Sequence, residues 1–141
     1  MTESGATHLD SARVGDCMRA GIFTCDPDTP ARELAAMMSS LRIHAVALRA
    51  GPRQAPALIA DRDVVASIAE GADPQAHQLA SGSAPTISRA QTLRDAAKLM
   101  TAHRAAHLVV VNEASGHPVG VLSTTDILQA YAATSSMTDK E

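Results

Sequence analysis

Aromatic residues are nearly absent from this sequence of 141 residues, which contains one phenylalanine, one tyrosine and no tryptophan. Proteins that bind single-stranded nucleic acid stack bases on aromatic side chains, and this chain has almost none to offer. Basic residues are also too few, because 12 lysines and arginines stand against 15 acidic residues, a formal net charge of -3. No basic surplus is available to neutralise a phosphate backbone, so we expect no nucleic acid partner.

Long apolar runs and export signals are missing as well. The sequence contains no stretch of about 18 apolar residues, which is the length needed to span a bilayer as a helix. The N-terminal MTESGATHLD has neither the charged nor the apolar region of a signal peptide. We therefore expect a cytoplasmic protein without a membrane span. In that compartment Cys17 and Cys25 are expected to remain thiols, although a disulfide between them stays open.

Motifs for catalysis and metal binding are lacking too. The sequence contains no GxSxG, no GxxxxGK[ST] and no GxGxxG, and we therefore expect no enzymatic activity. His103 and His107 have the i, i+4 spacing of a zinc pair, but no CxxC or HExxH accompanies them. His107 is also predicted to lie beyond the end of its helix, so we expect no metal site.

What the sequence does contain is an internal repeat in a composition that is 45% hydrophobic. The segment FTCDPDTPARELAAMMSSLRIHAVAL, from Phe23, aligns without a gap with PTISRAQTLRDAAKLMTAHRAAHLVV, from Pro85. The offset then grows by one residue, so that Asp63 aligns with Asp126. A unit of about 60 residues buries too small a fraction of its surface to be more than marginally stable alone, and we expect the two copies to pack face to face.

The apolar pattern of each copy predicts a strand, a helix, two strands and a second helix. The expected fold class is therefore α+β, with tandem β-α-β-β-α repeats packed by pseudo-two-fold symmetry. Apolar residues recur at helical spacing in the first helix of each copy, with Thr29 and Thr92 as the expected N-caps. Strands are predicted at 44–48, 57–59, 107–111 and 119–122, and closing helices at 63–70 and 126–133.

The periodic pattern also divides the chain. Segments 1–13 and 135–141 carry small polar residues with little periodicity and are predicted to be flexible. Repeat 1 is predicted to span 14–73 and repeat 2 to span 74–134, with a linker at Gly71 to Pro74. Arg42 and Arg104 occupy matched positions at the ends of the first helices, where a cation suits the carbonyl end of the helix dipole.

Eight short segments of the repeat follow a known family pattern. They are FTCDPD (23–28), ELAAMM (33–38), RIHAVAL (42–48) and LIADRDVV (58–65) in copy one, and APTIS (84–88), LRDAAKLM (93–100), HRAAHLVVVN (103–112) and GVLSTTDIL (120–128) in copy two. With these segments the repeats resemble the CBS (cystathionine beta-synthase) domain, and the chain looks like a stand-alone pair of such domains, a Bateman module. The resemblance implies a regulatory module that binds AMP, ADP, ATP or S-adenosylmethionine in a cleft between the paired domains. It also implies a homodimer and an effector protein that receives the signal.

The family pattern implies a ligand site in copy two. The extended segment before the first helix and the second strand flank the base in that pattern, and the hydroxyl and carboxylate of the glycine-led motif hold phosphate and ribose. An ionised aspartate can accept both ribose hydroxyls, and the start of a helix favours phosphate. The residues identified in this way are Thr86, Ile87, His107, Gly120, Ser123 and Asp126.

Structural explanations for the same residues remain open. Ser123 and Asp126 match the Ser-x-x-acid pattern of an ordinary capping box. Thr86 and Ile87 are also consistent with a short buried edge strand, and His107 with a histidine satisfied by packing. The motif GVLSTTD is therefore a ligand site, a helix start, or both.

Copy one carries a weaker version of the motif, ALIADRD. Ala57 replaces the glycine and Ala60 replaces the hydroxyl residue, whereas Asp63 is kept. Arg62 could reach a phosphate from this turn, or it is a solvated arginine at a helix start. We expect at most one strong site, in copy two. The alternative function is a structural or interaction dimer whose nucleotide clefts are degenerate.

Overall fold

The computed structural model of the chain describes residues 9–49, 57–80 and 84–139. It confirms a mixed fold of helices and strands, built as two compact units. The repeat-1 unit comprises Ile22–Ala84, and the repeat-2 unit comprises the residues up to Gly21 together with those from Pro85 onward. In chain order the elements are α1 (Val14–Cys17), β1 (Arg19–Ala20), β2 (Thr24–Cys25), α2 (Ala31–Leu41), β3 (Ala45–Leu48), β4 (Ala57–Ala60), α3 (Asp61–Ala69), α4 (Ala76–Leu79), β5 (Thr86–Ser88), α5 (Leu93–His103), β6 (His107–Val111), β7 (Pro118–Ser123) and α6 (Thr124–Asp139).

The repeat-2 unit is built on a sheet with the strand order β1-β7-β6-β5. Strand β5 runs parallel to β6, whereas β7 is antiparallel to both β6 and β1. Side chains alternate between the two faces of a strand, and here one face carries the core. That core is formed by the buried side chains of Val14, Ile87, Leu93, Ala96, Met100, Leu108, Val110 and Leu122.

The repeat-1 unit has a three-stranded sheet in the order β2-β3-β4. Leu34 on α2, Val46 on β3 and Ile59 on β4 are almost completely buried in its core. The apolar spacing therefore predicted the helix and most of the face that it buries, although Leu41, the last residue of that pattern, is 42% exposed. Among the described residues, no helix is long and apolar enough to cross a membrane.

One of the two predicted helix caps is present and the other is wrong. The Thr92 side chain accepts a hydrogen bond from the Asp95 backbone N–H at 3.1 Å, as an N-cap does. In α2 the N-cap residue is Pro30 and not Thr29. The backbone of Thr29 is used elsewhere, because its carbonyl oxygen accepts a hydrogen bond from the N–H of Ala76 at 2.8 Å.

The contact between Ala76 and Thr29 belongs to an exchange of the segments that precede the aligned stretches from Phe23 and from Pro85. The N–H of Val14 donates to the Gln91 carbonyl at 2.8 Å in the repeat-2 unit, and the N–H of Ala76 makes the equivalent bond to Thr29 in the repeat-1 unit. Val14 and Ala76 are both completely buried. Val14 and its neighbours, which precede the aligned segment from Phe23, thus fold with the repeat-2 unit. Ala76 and its neighbours, which precede the aligned segment from Pro85, fold with the repeat-1 unit.

The spatial units therefore differ from the sequence division at residues 73 and 74. Within the segment 1–13 that was predicted to be flexible, Leu9 and Ala12 pack against the repeat-2 core, and residues 1–8 lie outside the described part. At the other end α6 continues to Asp139, through most of the predicted tail 135–141. Periodicity had no means of locating the contacts of Leu9 and Ala12, because they join residues far apart in the chain.

The matched arginines Arg42 and Arg104 occupy the C-cap positions of α2 and α5. Both have a left-handed backbone, with φ of 55° and 52°. Their backbone N–H groups donate to the carbonyls of Met38 and Met100, which closes each helix. The shared position is thus a chain reversal that usually favours glycine.

Candidate functional site

The GVLSTTD motif forms the junction between β7 and α6. Ser123 is the last residue of β7 and is directly opposite His107, the first residue of β6. The N–H of Thr124 donates to the Ala106 carbonyl at 3.0 Å, which ties the start of the helix to β6. Directly opposed residues of an antiparallel pair lie on one face of the sheet. The fold therefore brings His107 and Ser123 together.

The predicted capping box is formed at this junction. The Ser123 Oγ accepts from the Asp126 N–H at 3.3 Å, and Asp126 Oδ2 accepts from the Ser123 N–H at 2.8 Å. The Ser123 hydroxyl also donates to Oδ2 at 3.0 Å. Asp126 Oδ1 accepts no hydrogen bond from the described residues. One carboxylate oxygen thus makes both bonds to Ser123 that hold the helix start, and the second makes neither.

Thr86 and Ile87 separate to opposite sides of strand β5. Ile87 is buried in the core, and its backbone groups face β6 in the parallel ladder. Thr86 is exposed, and its N–H and C=O point to the outer edge, because β5 is the last strand of the sheet that the structure describes. A backbone contact to a base from this strand is therefore left to Thr86.

Gly120 has a structural reason to be glycine. A Cβ on this residue would stand 2.5 Å from the Arg19 carbonyl oxygen and 2.7 Å from Met18 Sδ. Ala20 is paired with Gly120 across β1 and β7. Glycine thus permits the close approach of β1, and the alanine at position 57 need not mark a lost ligand site.

Copy one keeps half of the cap. Asp63 Oδ2 accepts from the Ala60 N–H at 2.9 Å, and α3 begins without a hydroxyl. The Asp61 N–H donates to the His44 carbonyl at 2.9 Å, which matches the bond between Thr124 and Ala106 in copy two. His44 Nδ1 and Asp61 Oδ2 also approach within 2.9 Å at the surface.

Arg62 is exposed, and its side chain has no ion pair with any residue that the structure describes.

Two further residues, Arg19 and Cys17, lie near the junction and are not indicated by the sequence motifs. Arg19 on β1 lies opposite Val121, on the sheet face that also carries Ser123 and His107. Burial raises the pKa of the Cys17 thiol, and the carboxylates of Asp16 and Asp126 raise it further, which places Cys17 close to the motif. Both residues precede Phe23, where the aligned part of the repeat begins, so the repeat pattern gives no signal for them.

The structure thus places the predicted residues in three locations. Three of them, Thr86, His107 and Ser123, lie on one face of the repeat-2 sheet, and Asp126 lies in the first turn of α6, bonded to Ser123. Ile87 and Gly120 lie on the core side of that sheet, and Arg62 and Asp63 lie in the repeat-1 unit.

Other candidate sites lie away from the motif or fail on composition. A groove of about 480 Å³ opens between Arg13, Arg89 and Asn112, at the end of the sheet opposite Ser123. None of the predicted ligand residues lines it. No three His, Cys, Asp or Glu side chains in the described ranges are grouped so that they could hold a metal ion.

Several solved structures resemble this chain. The CBS domain protein PAE2072 from Pyrobaculum aerophilum, complexed with AMP, is 27% identical with a TM-score of 0.71, and the match covers 86% of this chain and 98% of that one. CBSX2 in complex with AMP is 18% identical with a TM-score of 0.70, covering 89% and 99%. The CBS domain pair of MJ0100, with 5′-methylthioadenosine and S-adenosyl-L-methionine, is 15% identical with a TM-score of 0.76, covering 86% and 97%.

No curated protein matches the sequence. The sequence model of the CBS domain matches twice, at residues 14–70 and 77–133. These two ranges account for most of the chain and agree with the duplicated arrangement of helices and strands. The chain therefore belongs to the CBS domain family and contains a pair of CBS domains.

Proposed function

We propose that this protein is a regulatory module that binds an adenosyl ligand at the junction between β7 and α6. The observation that carries the proposal is the unshared Oδ1 of Asp126, which lies beside Ser123 and on the same unit as the open edge of Thr86. The adenosyl ligands of PAE2072, CBSX2 and MJ0100 support the choice of ligand class. AMP, ADP, ATP and S-adenosylmethionine are the candidates.

The groups at the junction suit the parts of such a ligand. Asp126 Oδ1 can accept hydrogen bonds from the two ribose hydroxyls while Oδ2 continues to cap the helix. The N-terminus of α6, a helix of 16 residues, favours an anionic group. The Thr86 backbone can pair with the edge of the base. A ligand would thus share the cap with the helix and would not displace it.

The proposed signal is a shift between two arrangements of the protein. A ligand can bias such an equilibrium only by binding one arrangement more tightly than the other. We propose that an effector protein reads the favoured arrangement, and that the module itself carries out no reaction.

A homodimer is also part of the proposal. Val65 and Ile68 on α3 are 61% and 60% exposed, and Leu128 and Tyr131 at the equivalent positions of α6 are 65% and 53% exposed. Each pair is spaced i, i+3, which places it on one side of its helix. Both repeats thus present large apolar side chains at the same two positions, a feature that suits a symmetric interface.

The test is calorimetric titration with AMP, ATP and S-adenosylmethionine of the wild type and of Asp126→Asn. An asparagine keeps an oxygen that can accept the cap but loses the negative charge and the second acceptor. We expect binding of at least one ligand, weakened about tenfold or more in Asp126→Asn. Asp63→Asn is the matched control in copy one, where the same cap is made, and should retain most of the binding.

The alternative, a structural dimer with degenerate clefts, is favoured by the complete capping box and by the alanines of copy one. It predicts no heat with any of the three ligands and no change in unfolding temperature when they are added. Tight binding that is indifferent to Asp126→Asn would instead move the ligand to another part of the module.

A further inference from the structure

Arg19 is the sole lysine or arginine in the four strands of the repeat-2 sheet. The remaining strand residues are apolar or uncharged polar, apart from His107. In sequence Arg19 lies far from repeat 2. It reaches this sheet because the exchanged segment that contains β1 folds with the repeat-2 unit. The residue 62 positions later is Ser81, so the repeat pattern does not impose an arginine here.

The strand register places Arg19 within reach of the junction. Its direct partner is Val121, and Ser123 is two residues further along β7 on the same face. Such diagonal neighbours are about 7–8 Å apart, which long side chains can span. Arg19 is exposed, and its guanidinium makes no ion pair with the residues that the structure describes.

A phosphate at this junction would meet few other positive groups. The Ser123 hydroxyl is engaged with Asp126, and the N–H of Thr124 is paired with the Ala106 carbonyl. The Asp126 carboxylate is itself negative and would repel a phosphate. A guanidinium offers two parallel N–H donors to phosphate oxygens and a charge that offsets this repulsion.

We propose that Arg19 binds the phosphate of the ligand, so that the copy-two site selects a phosphorylated adenosine over an uncharged nucleoside. The inference rests on the proposed adenosyl site and names its ligand class. Arg62 on α3 gives copy one a cation in a different place, at the position equivalent to Thr125. The two copies therefore differ in the source of their positive charge.

The experiment compares AMP with adenosine by calorimetry at about 50 mM salt, where screening of an exposed charge is modest. The proteins are the wild type, Arg19→Gln, Arg19→Lys and Arg13→Gln. Arg13 is the matched control, because it is an exposed arginine of the same unit whose Nη1 donates to the Ala90 carbonyl at the far end of the sheet. Thermal unfolding of each variant checks that it is folded.

We expect the wild type to bind AMP more tightly than adenosine. Arg19→Gln should weaken AMP binding about tenfold or more and leave adenosine unchanged, whereas Arg19→Lys should keep part of the preference. Arg13→Gln should change neither affinity.

The inference is overturned if Arg19→Gln leaves AMP binding intact, if it weakens both ligands equally, or if the wild type does not prefer AMP. In these cases the adenosyl site itself survives. An absence of binding of either ligand to the wild type would overturn the proposed function and this inference together.

Discussion

Gly120 lies so close to Arg19 that a Cβ on Gly120 would stand 2.5 Å from the Arg19 carbonyl oxygen. We expect Gly120→Ala to lower the free energy of unfolding by about 2 kcal/mol, because backbone atoms cannot rotate away as a side chain can. Urea denaturation measures the change. Ala57→Gly, the equivalent position of copy one, should lower it by about 1 kcal/mol or less. Equal effects at the two positions would contradict the packing explanation.

Ser123 and Ala60 occupy equivalent helix starts, one with a hydroxyl cap and one without. Ser123→Ala should lower the free energy of unfolding by about 1 kcal/mol, since the Asp126 N–H loses its acceptor. Ala60→Ser should raise it by up to about 1 kcal/mol, because Asp63 already supplies the reciprocal half of the box. Chemical denaturation of both variants tests the pair. A loss of stability in Ala60→Ser would show that the two junctions are not equivalent.

The left-handed backbone of Arg42 and Arg104 predicts a gain from glycine. We expect Arg104→Gly to raise the free energy of unfolding by about 0.5–1 kcal/mol, because glycine adopts a φ of 52° without steric conflict. Thermal unfolding with Ala102→Gly as the control separates this effect from general helix propensity. Ala102 is an exposed residue inside α5, where glycine should destabilise by about 1 kcal/mol.

The raised pKa of Cys17 predicts slow alkylation near neutral pH. The thiolate is the reactive form, and burial together with the Asp16 and Asp126 carboxylates shifts its formation to higher pH. The folded state thus holds this proton more tightly than the unfolded chain, so the associated stability declines as pH rises through the ordinary thiol range toward the raised pKa. Iodoacetamide labelling should be slower in the native protein than in urea.

Asp126→Asn supplies the control for that measurement. Removing one of the two nearby carboxylates should lower the pKa of Cys17 and speed its labelling at a fixed pH. Both proteins carry Cys25→Ser, so that a single thiol reacts. An unchanged rate in Asp126→Asn would mean that burial and the Asp16 carboxylate set the reactivity without a contribution from Asp126.

The exposed apolar residues of α3 and α6 predict which substitutions would dissociate the proposed dimer. Val65→Glu with Leu128→Glu should convert a dimer to a monomer in sedimentation velocity, because a buried unpaired carboxylate is costly at an interface. Gln129→Glu adds the same charge at an exposed neighbouring position of α6 and should leave the assembly intact. A wild type that sediments as a monomer at micromolar concentration would contradict the proposed homodimer.

Local sequence patterns predicted the helices and strands that are long enough to show a periodicity or an apolar run. The run HLVVV predicted β6 at its observed bounds, and α5 begins at the predicted cap, Thr92. The short helices α1 and α4 were missed, since four residues show no periodicity. The α6 start lies two residues before the prediction, because Asp126 is the third residue of the helix and not its first.

The candidate site was predicted only in part, because residues outside the repeated motifs carry no signal in the sequence. His107, Ser123 and Asp126 could be identified because each belongs to a repeated motif, and the strand register brings the first two together. Arg19 and Cys17 carry no such signal, and Gly120 was assigned to the ligand although its close neighbours are Arg19 and Met18.

By itself the sequence determined the duplication, the order of helices and strands in each copy and the two helix-start motifs, because these depend on contacts between near neighbours in the chain. The tertiary structure alone decided which unit each leading segment joins. Val14 and Ala76 are both apolar and completely buried, and neither belongs to a pattern that indicates which core it joins. Their backbone bonds to Gln91 and Thr29 join residues far apart in the sequence. That exchange is what carries Arg19 to the sheet of the other repeat.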